Sequence, residues 1–191
     1  YRVRSRTNEL QRTAKTHDEF MSLLETKLAI RRNQTQDVNR VSELSERTNQ
    51  FNSSLTKYTA DDLRHKIEHK THQIWIGTVS DSLGDSGTSL AAVSKINDDA
   101  LLIEGLWVSC RVLGRQLEHA TIASLASFAR TEGLKTVRVV FNASSKNSQV
   151  LDFLNSLHPI QISEASHTSM QFQYALDDLI NLTPNYLKVI E

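Results

Sequence analysis

The sequence predicts an α/β domain with a mixed, mostly antiparallel sheet and flanking helices. Three apolar or alternating segments, at 73–79, 88–96 and 100–108, follow one another with only short turns between them, which is typical of antiparallel strands. The amphipathic segment 116–130 then separates the third strand from a β-branched strand at 136–141, and a helix between two strands predicts a parallel crossover. An antiparallel meander followed by one crossover accounts for the mixed sheet.

Capping signals and periodicity place the remaining elements. Thr16 with Glu19 and Thr59 with Asp62 have capping-box spacing, so each pair predicts the start of a helix. Gly133 is a natural stop for the helix at 116–130. The other predicted elements are, in chain order, a strand at 28–30, a helix at 36–50, a helix ending near residue 70, a turn at 81–87, a helix at 148–157 and two short strands at 161–162 and 170–174.

Charge, cysteine content and hydropathy exclude several classes of protein. The chain has 191 residues with 22 basic and 22 acidic side chains, so we expect no nucleic-acid partner. A single cysteine excludes an intramolecular disulfide and a cysteine-based zinc site, and it suits the reducing cytoplasm. No apolar stretch approaches the roughly 20 residues that span a bilayer, so we expect no membrane segment. The pair His65 and His69 is expected on an exposed helix face, without a third metal ligand.

The run Ser109-Cys110-Arg111-Val112-Leu113-Gly114-Arg115 joins the predicted strand at 100–108 to the helix that follows it. A strand, a glycine-containing turn and a helix N-terminus predict an anion site, because the first backbone N–H groups of a helix have no partner inside it. Arg111 and Arg115 add full charges, although both also fit solvated charges at a helix start. We expect a diphosphate-bearing ligand such as coenzyme A, or a phosphopantetheine arm.

This order of elements, with a phosphate-binding turn after the fourth strand, resembles the GNAT acyltransferase fold. GNAT proteins carry the pattern R/Q-x-x-G-x-G/A at this turn, and its backbone amides hold the pyrophosphate of acyl-coenzyme A. The resemblance implies that the turn binds such a ligand through six residues, namely Arg111, Val112, Leu113, Gly114, Arg115 and Gln116.

Three further runs make the resemblance more specific. They are Arg47-Thr48-Asn49-Gln50-Phe51-Asn52, Gly84-Asp85-Ser86-Gly87, and Lys146-Asn147 with the later Val150 and Asp152-Phe153. Over residues 1–157, the chain resembles the C-terminal, GNAT-like domain of FkbH-like proteins. That family pairs this domain with an N-terminal phosphatase domain of the haloacid-dehalogenase type.

The resemblance implies a reaction and two partners. FkbH-like proteins take a glyceryl unit from 1,3-bisphosphoglycerate, remove phosphate, and load the unit onto the phosphopantetheine arm of an acyl carrier protein for polyketide-type biosynthesis. The phosphatase half binds Mg²⁺ through an Asp-x-Asp motif that does not occur here, so we expect no metal site in this chain. Because residue 1 is Tyr rather than Met, we expect an excised piece, with a helical linker at 1–26 and the GNAT-like domain at 27–191.

The resemblance also suggests roles for single side chains. Cys110 is the candidate catalytic residue: it would hold the glyceryl unit as a thioester, since neighbouring cations and a helix N-terminus favour the thiolate. It fits equally well a small, buried residue at a strand end. The candidate substrate-binding residues are Asn49, Gln50, Asn52, Asp85, Asn142 and Asn147. The first three also fit a helix C-cap with its loop, and Asp85 also fits a turn.

Three positions depart from the family pattern. Gln116 stands where the phosphate turn usually has Gly, so its side chain would crowd a close diphosphate. Leu154 stands where a Tyr would protonate a leaving thiolate, and His158-Pro159 lies near the expected Gly-Phe. Two other functions therefore stay open: a degenerate GNAT domain that only docks a carrier protein, and an acetyl-coenzyme A-dependent N-acetyltransferase, for which the sequence identifies no catalytic base.

Overall fold

The structure, a computed structural model, describes residues 12–190. Its N-terminal elements are α1 (His17–Leu24), β1 (Lys27–Arg32), a 3-10 helix (Thr35–Asp37), α2 (Val38–Arg47), β2 (Phe51–Asn52), α3 (Ala60–Glu68) and β3 (Gln73–Asp81). Both capping predictions are confirmed. The Glu19 N–H donates to Thr16 Oγ1 across 3.2 Å, and Thr59 with Asp62 forms a complete capping box.

The meander, the crossover and the last hairpin follow. They consist of β4 (Gly84–Asn97), β5 (Ala100–Val108), a 3-10 helix (Cys110–Val112), α4 (Leu117–Thr131), β6 (Thr136–Asn142), α5 (Ser148–Ser156), β7 (Gln161–Ser166), β8 (Ser169–Ala175), α6 (Leu176–Leu179) and β9 (Lys188–Ile190). The turn predicted at 81–87 shrinks to residues 82–83, because the Leu83 and Gly84 N–H groups both donate to Asp81 Oδ1. The helix predicted to start at 116 begins one residue later.

The strands form one nine-stranded sheet in the order β7-β8-β6-β5-β4-β3-β1-β9, with β2 paired to β5 outside this path. Among the strand pairs of residues 12–190, β5 with β6 and β1 with β9 are parallel and the others are antiparallel. The predicted crossover is therefore present, with α4 linking β5 to β6. The predicted α/β class with a mixed, mostly antiparallel sheet is confirmed.

Alternation along the central strands sends side chains into two apolar clusters on opposite faces. Leu106 belongs to the larger cluster, which includes buried residues of α4 and α5. Its neighbour Trp107 belongs to the smaller cluster, with Val38, Val41 and Leu44 of α2. The helices α4 and α5 thus cover one face of the sheet, and α2 covers the other.

The sequence predictions omit β2, α6 and β9, and they extend α2 three residues too far. The predicted helix at 36–50 ends at Arg47, so residues 48–50 are released from it and lead directly into β2. Of the predicted linker 1–26, residues 1–11 lie outside the described part of the chain. The remainder contains α1, which buries Met21 and Leu24. Within residues 12–190, no helix is long and apolar enough to cross a membrane.

Candidate functional site

The sheet splits where the two parallel central strands diverge. Residues 100–103 of β5 pair with residues 136–139 of β6, and the register ends there. Beyond this point β5 changes partner, because Phe51 pairs with Val108 and Asn52 with Trp107. Where two strands diverge, their facing backbone N–H and C=O groups lose each other as partners. Buried groups of this kind need hydrogen bonds from another segment or from a ligand.

Residues 51–54, called the insert below, fill this split. The Ser53 N–H donates to the Leu106 carbonyl across 3.1 Å, and the Leu106 N–H donates to Ser53 Oγ across 3.0 Å. On the opposite side, the Asn142 N–H donates to the Ser53 carbonyl across 2.8 Å. The insert is buried along its whole length and so bridges β5 to β6 as part of the sheet.

Three of the predicted substrate-binding residues hold the insert in place. Asn147 is fully buried, and its Nδ2 donates to the carbonyls of Asn52 (2.8 Å) and Asn142 (2.9 Å). Its Oδ1 accepts from the Ser144 N–H and hydroxyl. Asn142 Nδ2 donates to the Ser54 carbonyl, and Asn52 Nδ2 donates to the Thr48 carbonyl. The side-chain amides of these three residues are thus engaged by the protein itself.

The predicted nucleophile lies at the open end of the split. Cys110 begins the 3-10 helix that follows β5, and it is exposed. It borders an open cavity of ≈ 770 Å³, called the Cys110 cavity. The cavity is lined by Arg40, Glu43, Leu44, Arg47, Thr48, Asn49, Gln50, Val108, Ser109, Cys110, Arg111 and Lys146. The exposed side chain is therefore not the small buried strand-end residue that the sequence left as an alternative.

The other two amides of the α2 end, Asn49 and Gln50, face this cavity and are exposed. They are the predicted substrate-binding residues that the structure brings to Cys110. Arg40, Arg47 and Lys146 are not among the predicted site residues. Arg47 and Lys146 were visible as the first residues of two of the motif runs, whereas Arg40 had no such signal.

The predicted phosphate turn is divided between two cavities. Arg111 faces the Cys110 cavity, whereas Leu113, Gly114 and Arg115 line a second one of ≈ 580 Å³ beside α1 and the β3–β4 turn. Arg115 Nη1 lies 2.5 Å from Asp81 Oδ2, and both side chains are largely buried. The turn therefore does not present its two arginines to one ligand.

The other residues of the turn contact the core or shape the backbone. Val112 is fully buried in the larger cluster, and Leu113 packs against that cluster. Gln116 is the N-cap residue of α4 in a left-handed conformation (φ 55°, ψ 30°), and its side chain makes no capping hydrogen bond. Asp85 lines the second cavity and accepts the Gly87 N–H across 2.6 Å, as a turn residue does.

Leu154, where the family pattern has Tyr, is buried, and its carbonyl accepts a hydrogen bond from the Tyr174 hydroxyl across 2.8 Å. Burial raises the pKa of Tyr174 above its ordinary value. A phenol is thus present beside α5, but it is enclosed and its hydroxyl proton is already donated in a hydrogen bond.

Within residues 12–190, no group of three or more His, Cys, Asp or Glu side chains is arranged to hold a metal. His65 and His69 stack on each other with ring centroids 3.9 Å apart.

No protein-family model and no curated protein sequence matches the chain. Solved structures do match in fold. A protein assigned to the GNAT acetyltransferase family from Desulfovibrio desulfuricans has 14% identity and a TM-score of 0.60, covering 78% of this chain and 99% of its own. The PaiA N-acetyltransferase of Thermoplasma acidophilum, solved with coenzyme A, has 10% identity and a TM-score of 0.60, covering 78% and 98%. A spermidine N-acetyltransferase from Vibrio cholerae, solved with coenzyme A and spermine, has 11% identity and a TM-score of 0.56, covering 81% and 98%.

The ligand that this fold implies is coenzyme A, and in this chain the insert occupies the part of the split where a pantetheine arm would pair with the strands. The pantetheine arm is an extended chain with two amide groups, which suits unpaired backbone groups between diverging strands. Here the insert pairs with Leu106, Trp107 and Val108 of β5 and accepts the Asn142 N–H at the end of β6. The chain thus has the GNAT acetyltransferase fold, with its central split closed by its own residues and its only cysteine exposed at the mouth.

Proposed function

We propose that this chain is an acyl-transfer domain in which Cys110 carries the acyl unit as a thioester. The observation that carries the proposal is the position of Cys110, which is exposed at the mouth of the closed split, on a cavity with four cationic side chains. The exposed thiol can be reached by an acyl donor that enters the cavity. The fold supports acyl transfer as the general class of reaction, and the exposed cysteine supports a covalent intermediate.

Because the insert fills the split, the proposed transfer takes place at the surface, where Cys110 is exposed. An arm that cannot enter between β5 and β6 must react where its end can reach, and the mouth of the split is such a place. Asn49 and Gln50 border the same cavity and offer amide donors to an acyl group or an arm. The two exposed amides are placed to position substrate, whereas Asn52, Asn142 and Asn147 maintain the insert.

The proposed reaction has two steps. In the first, the Cys110 thiolate attacks the carbonyl carbon of an acyl phosphate; the S–C bond forms, the C–O bond to phosphate breaks, and inorganic phosphate leaves with the electron pair. In the second, the thiolate of a phosphopantetheine arm attacks the thioester carbonyl, and Cys110 leaves as a thiolate. Both steps are acyl substitutions without oxidation or reduction.

The resemblance to FkbH-like proteins suggests the substrates. The donor is 1,3-bisphosphoglycerate, the acyl unit is phosphoglyceryl or glyceryl, and the acceptor is an acyl carrier protein of polyketide-type biosynthesis. An N-terminal phosphatase domain of the haloacid-dehalogenase type, with its own Mg²⁺, would remove the remaining phosphate. We expect the reaction in the cytoplasm, where a free thiol stays reduced.

Intact-protein mass spectrometry tests the covalent step. The chain is incubated with 1,3-bisphosphoglycerate generated in situ, then with a carrier protein that bears the phosphopantetheine arm. We expect an acyl adduct on the chain that hydroxylamine removes and that appears later on the carrier. Cys110→Ala should abolish the adduct, whereas Ser145→Ala, at an exposed residue outside the cavity lining, should leave it unchanged. Loading of the carrier by Cys110→Ala at the wild-type rate would contradict the proposal.

The insert favours a second candidate function. A domain whose split is closed could serve only to dock a carrier protein beside a catalytic neighbour. Calorimetry with the intact carrier, with free pantetheine and with coenzyme A separates the two. A docking domain binds the carrier equally well with and without its arm and forms no adduct at Cys110, whereas the transferase gains affinity from the arm.

A further inference from the structure

Three separate parts of the chain deliver cations to the Cys110 cavity. Arg40 and Arg47 come from α2, Arg111 from the 3-10 helix after β5, and Lys146 from the loop before α5. Among the lining residues that the structure describes, Glu43 is the only carboxylate. Four cations against one carboxylate leave a net positive charge, which attracts an anion.

Glu43 is shared by two arginines, so this one carboxylate balances only one of their two charges. Glu43 lies 2.5 Å from Arg40 and 2.9 Å from Arg47, and the hydrogen bond and charge of Arg40 hold the pKa of Glu43 below its usual range. Arg40 also donates to the Thr88 carbonyl, so it is fixed in the wall. Among the residues described, neither Arg111 nor Lys146 has a carboxylate within ion-pair distance.

We propose that the Cys110 cavity is a phosphate-binding site, in which Arg47, Arg111 and Lys146 hold a phosphate group that is attached to the reacting molecule. The role of the bound phosphate rests on the proposed acyl transfer, whereas the binding itself rests on the cations of the cavity. Guanidinium groups bind phosphate oxygens in pairs, and an ammonium group adds a compact charge. A phosphate held here would place the rest of the bound molecule within the cavity that Cys110 borders.

This site differs from the diphosphate turn that the sequence predicts. Arg115 is committed to Asp81 in the second cavity, so the phosphate ligands come from α2 and the loop before α5 instead of from the turn alone. Two molecules could supply the phosphate: a phosphomonoester on the acyl donor, or the phosphodiester that joins the arm to its carrier. Both present the same chemistry to the cavity.

The rate at which iodoacetamide alkylates Cys110 tests the site without requiring turnover. The rate is measured by intact mass with increasing 3-phosphoglycerate, free phosphopantetheine, inorganic phosphate, or glycerate as the matched compound without phosphate. Each variant is compared with its own rate in the absence of ligand, because loss of a cation also changes the reactivity of the thiol. We expect 3-phosphoglycerate, phosphopantetheine or both to slow the alkylation of Cys110. Glycerate, which has no phosphate, should not slow it.

The variants Arg47→Gln and Lys146→Gln should each raise the half-protecting concentration by about fivefold, as expected for an exposed charge contact. Lys57→Gln, which removes an exposed cation outside the cavity, should leave it unchanged. The compound that protects better identifies the source of the phosphate. Equal protection by glycerate, or protection that survives both cavity variants, would overturn the phosphate site.

The two proposals fail differently. If the chain forms the acyl adduct but the cavity variants acylate at the wild-type rate and with the wild-type donor dependence, the phosphate site is wrong and the transferase stands. If phosphorylated compounds protect Cys110 but no donor acylates it, the phosphate site stands and the covalent role of Cys110 is wrong.

Discussion

The buried amide of Asn147 donates to the backbone carbonyl of Asn52 across 2.8 Å, and this contact fastens the insert into the split of the sheet. The two residues are far apart in sequence and belong to two different motif runs. The same amide group reaches the Asn142 carbonyl at the end of β6. One side chain thus joins the insert to the strand beside it and to the loop that carries Lys146.

We expect Asn147→Ala to lower the free energy of unfolding by about 3 kcal/mol, because it leaves several buried backbone groups without partners. The measurement is equilibrium unfolding in urea. Asn155→Ala is the matched control, since Asn155 is exposed on α5, and it should change stability by less than about 0.5 kcal/mol. Equal effects of the two substitutions would show that the amide network does not stabilise the insert.

Hydrogen exchange tests whether the insert remains in the split. The amides of Ser53 and Asn142 donate across it, and Ser53 is fully buried, so we expect both to exchange as slowly as the amides of β5. The amide of Lys57, in the exposed loop that follows, should exchange quickly. Rapid exchange at Ser53 would show that the insert opens and that an arm can enter the split.

The fold was predictable from the sequence because its signals are local. The strand at 100–108, the crossover helix and the two capping pairs depend on periodicity and on contacts within three or four residues. The closed split was not predictable. It depends on β2, a strand of two residues, and on the reach of Asn147 across 95 positions of the chain.

In the candidate site, too, some features were predictable from the sequence and others were not. The motif runs containing Asn49, Cys110 and Lys146 all reach one cavity, whereas the run containing Asp85 lines the second cavity. They did not distinguish residues that face the cavity from residues that support it. Asn52 and Asn147 are as polar as Asn49, and only their hydrogen bonds reveal that they serve the insert.

The ion pair between Arg115 and Asp81 predicts a stability effect at the second cavity. The Asp81 side chain is only 3% exposed, and it also accepts the N–H groups of Leu83 and Gly84. Asp81→Asn should lower the free energy of unfolding by about 3 kcal/mol, because it leaves the Arg115 charge largely buried without a partner. Asp85→Asn, on the exposed side of the same hairpin, should cost less than about 1 kcal/mol in urea unfolding.

A partly buried polar cluster predicts how stability depends on pH. His72 Nε2 lies 3.1 Å from Glu104 Oε2 and 3.1 Å from Lys66 Nζ. Burial, with the charges of Lys66 and Lys95, lowers the pKa of His72, although Glu104 acts in the opposite direction. The unfolded chain therefore binds a proton at this position first as the pH falls. The stability contribution is complete above about pH 6.5 and is lost as the pH falls toward the folded-state pKa.

The variant His72→Gln isolates this contribution. We expect the wild-type chain to lose more unfolding free energy between about pH 7.5 and about pH 5.5 than His72→Gln does. The same substitution at the exposed His167 is the matched control, and its pH profile is compared with that of the wild type. Parallel pH profiles for the wild type and His72→Gln in urea unfolding would contradict the assignment.

The backbone of the turn before α4 predicts two substitutions of opposite effect. Gln116 has φ 55°, a left-handed conformation that is strained for a residue with a Cβ atom, and Gly114 has φ 81°. Gln116→Gly should raise the free energy of unfolding by about 0.5 kcal/mol, because relief of strain exceeds the added entropy of the unfolded chain. Gly114→Ala should lower it by about 1 kcal/mol, and strain is its only cause since a Cβ there would meet no atom within 4 Å. Urea unfolding of both variants measures these effects, and a loss of stability in Gln116→Gly would mean that the glutamine side chain makes a contact that outweighs its strained backbone.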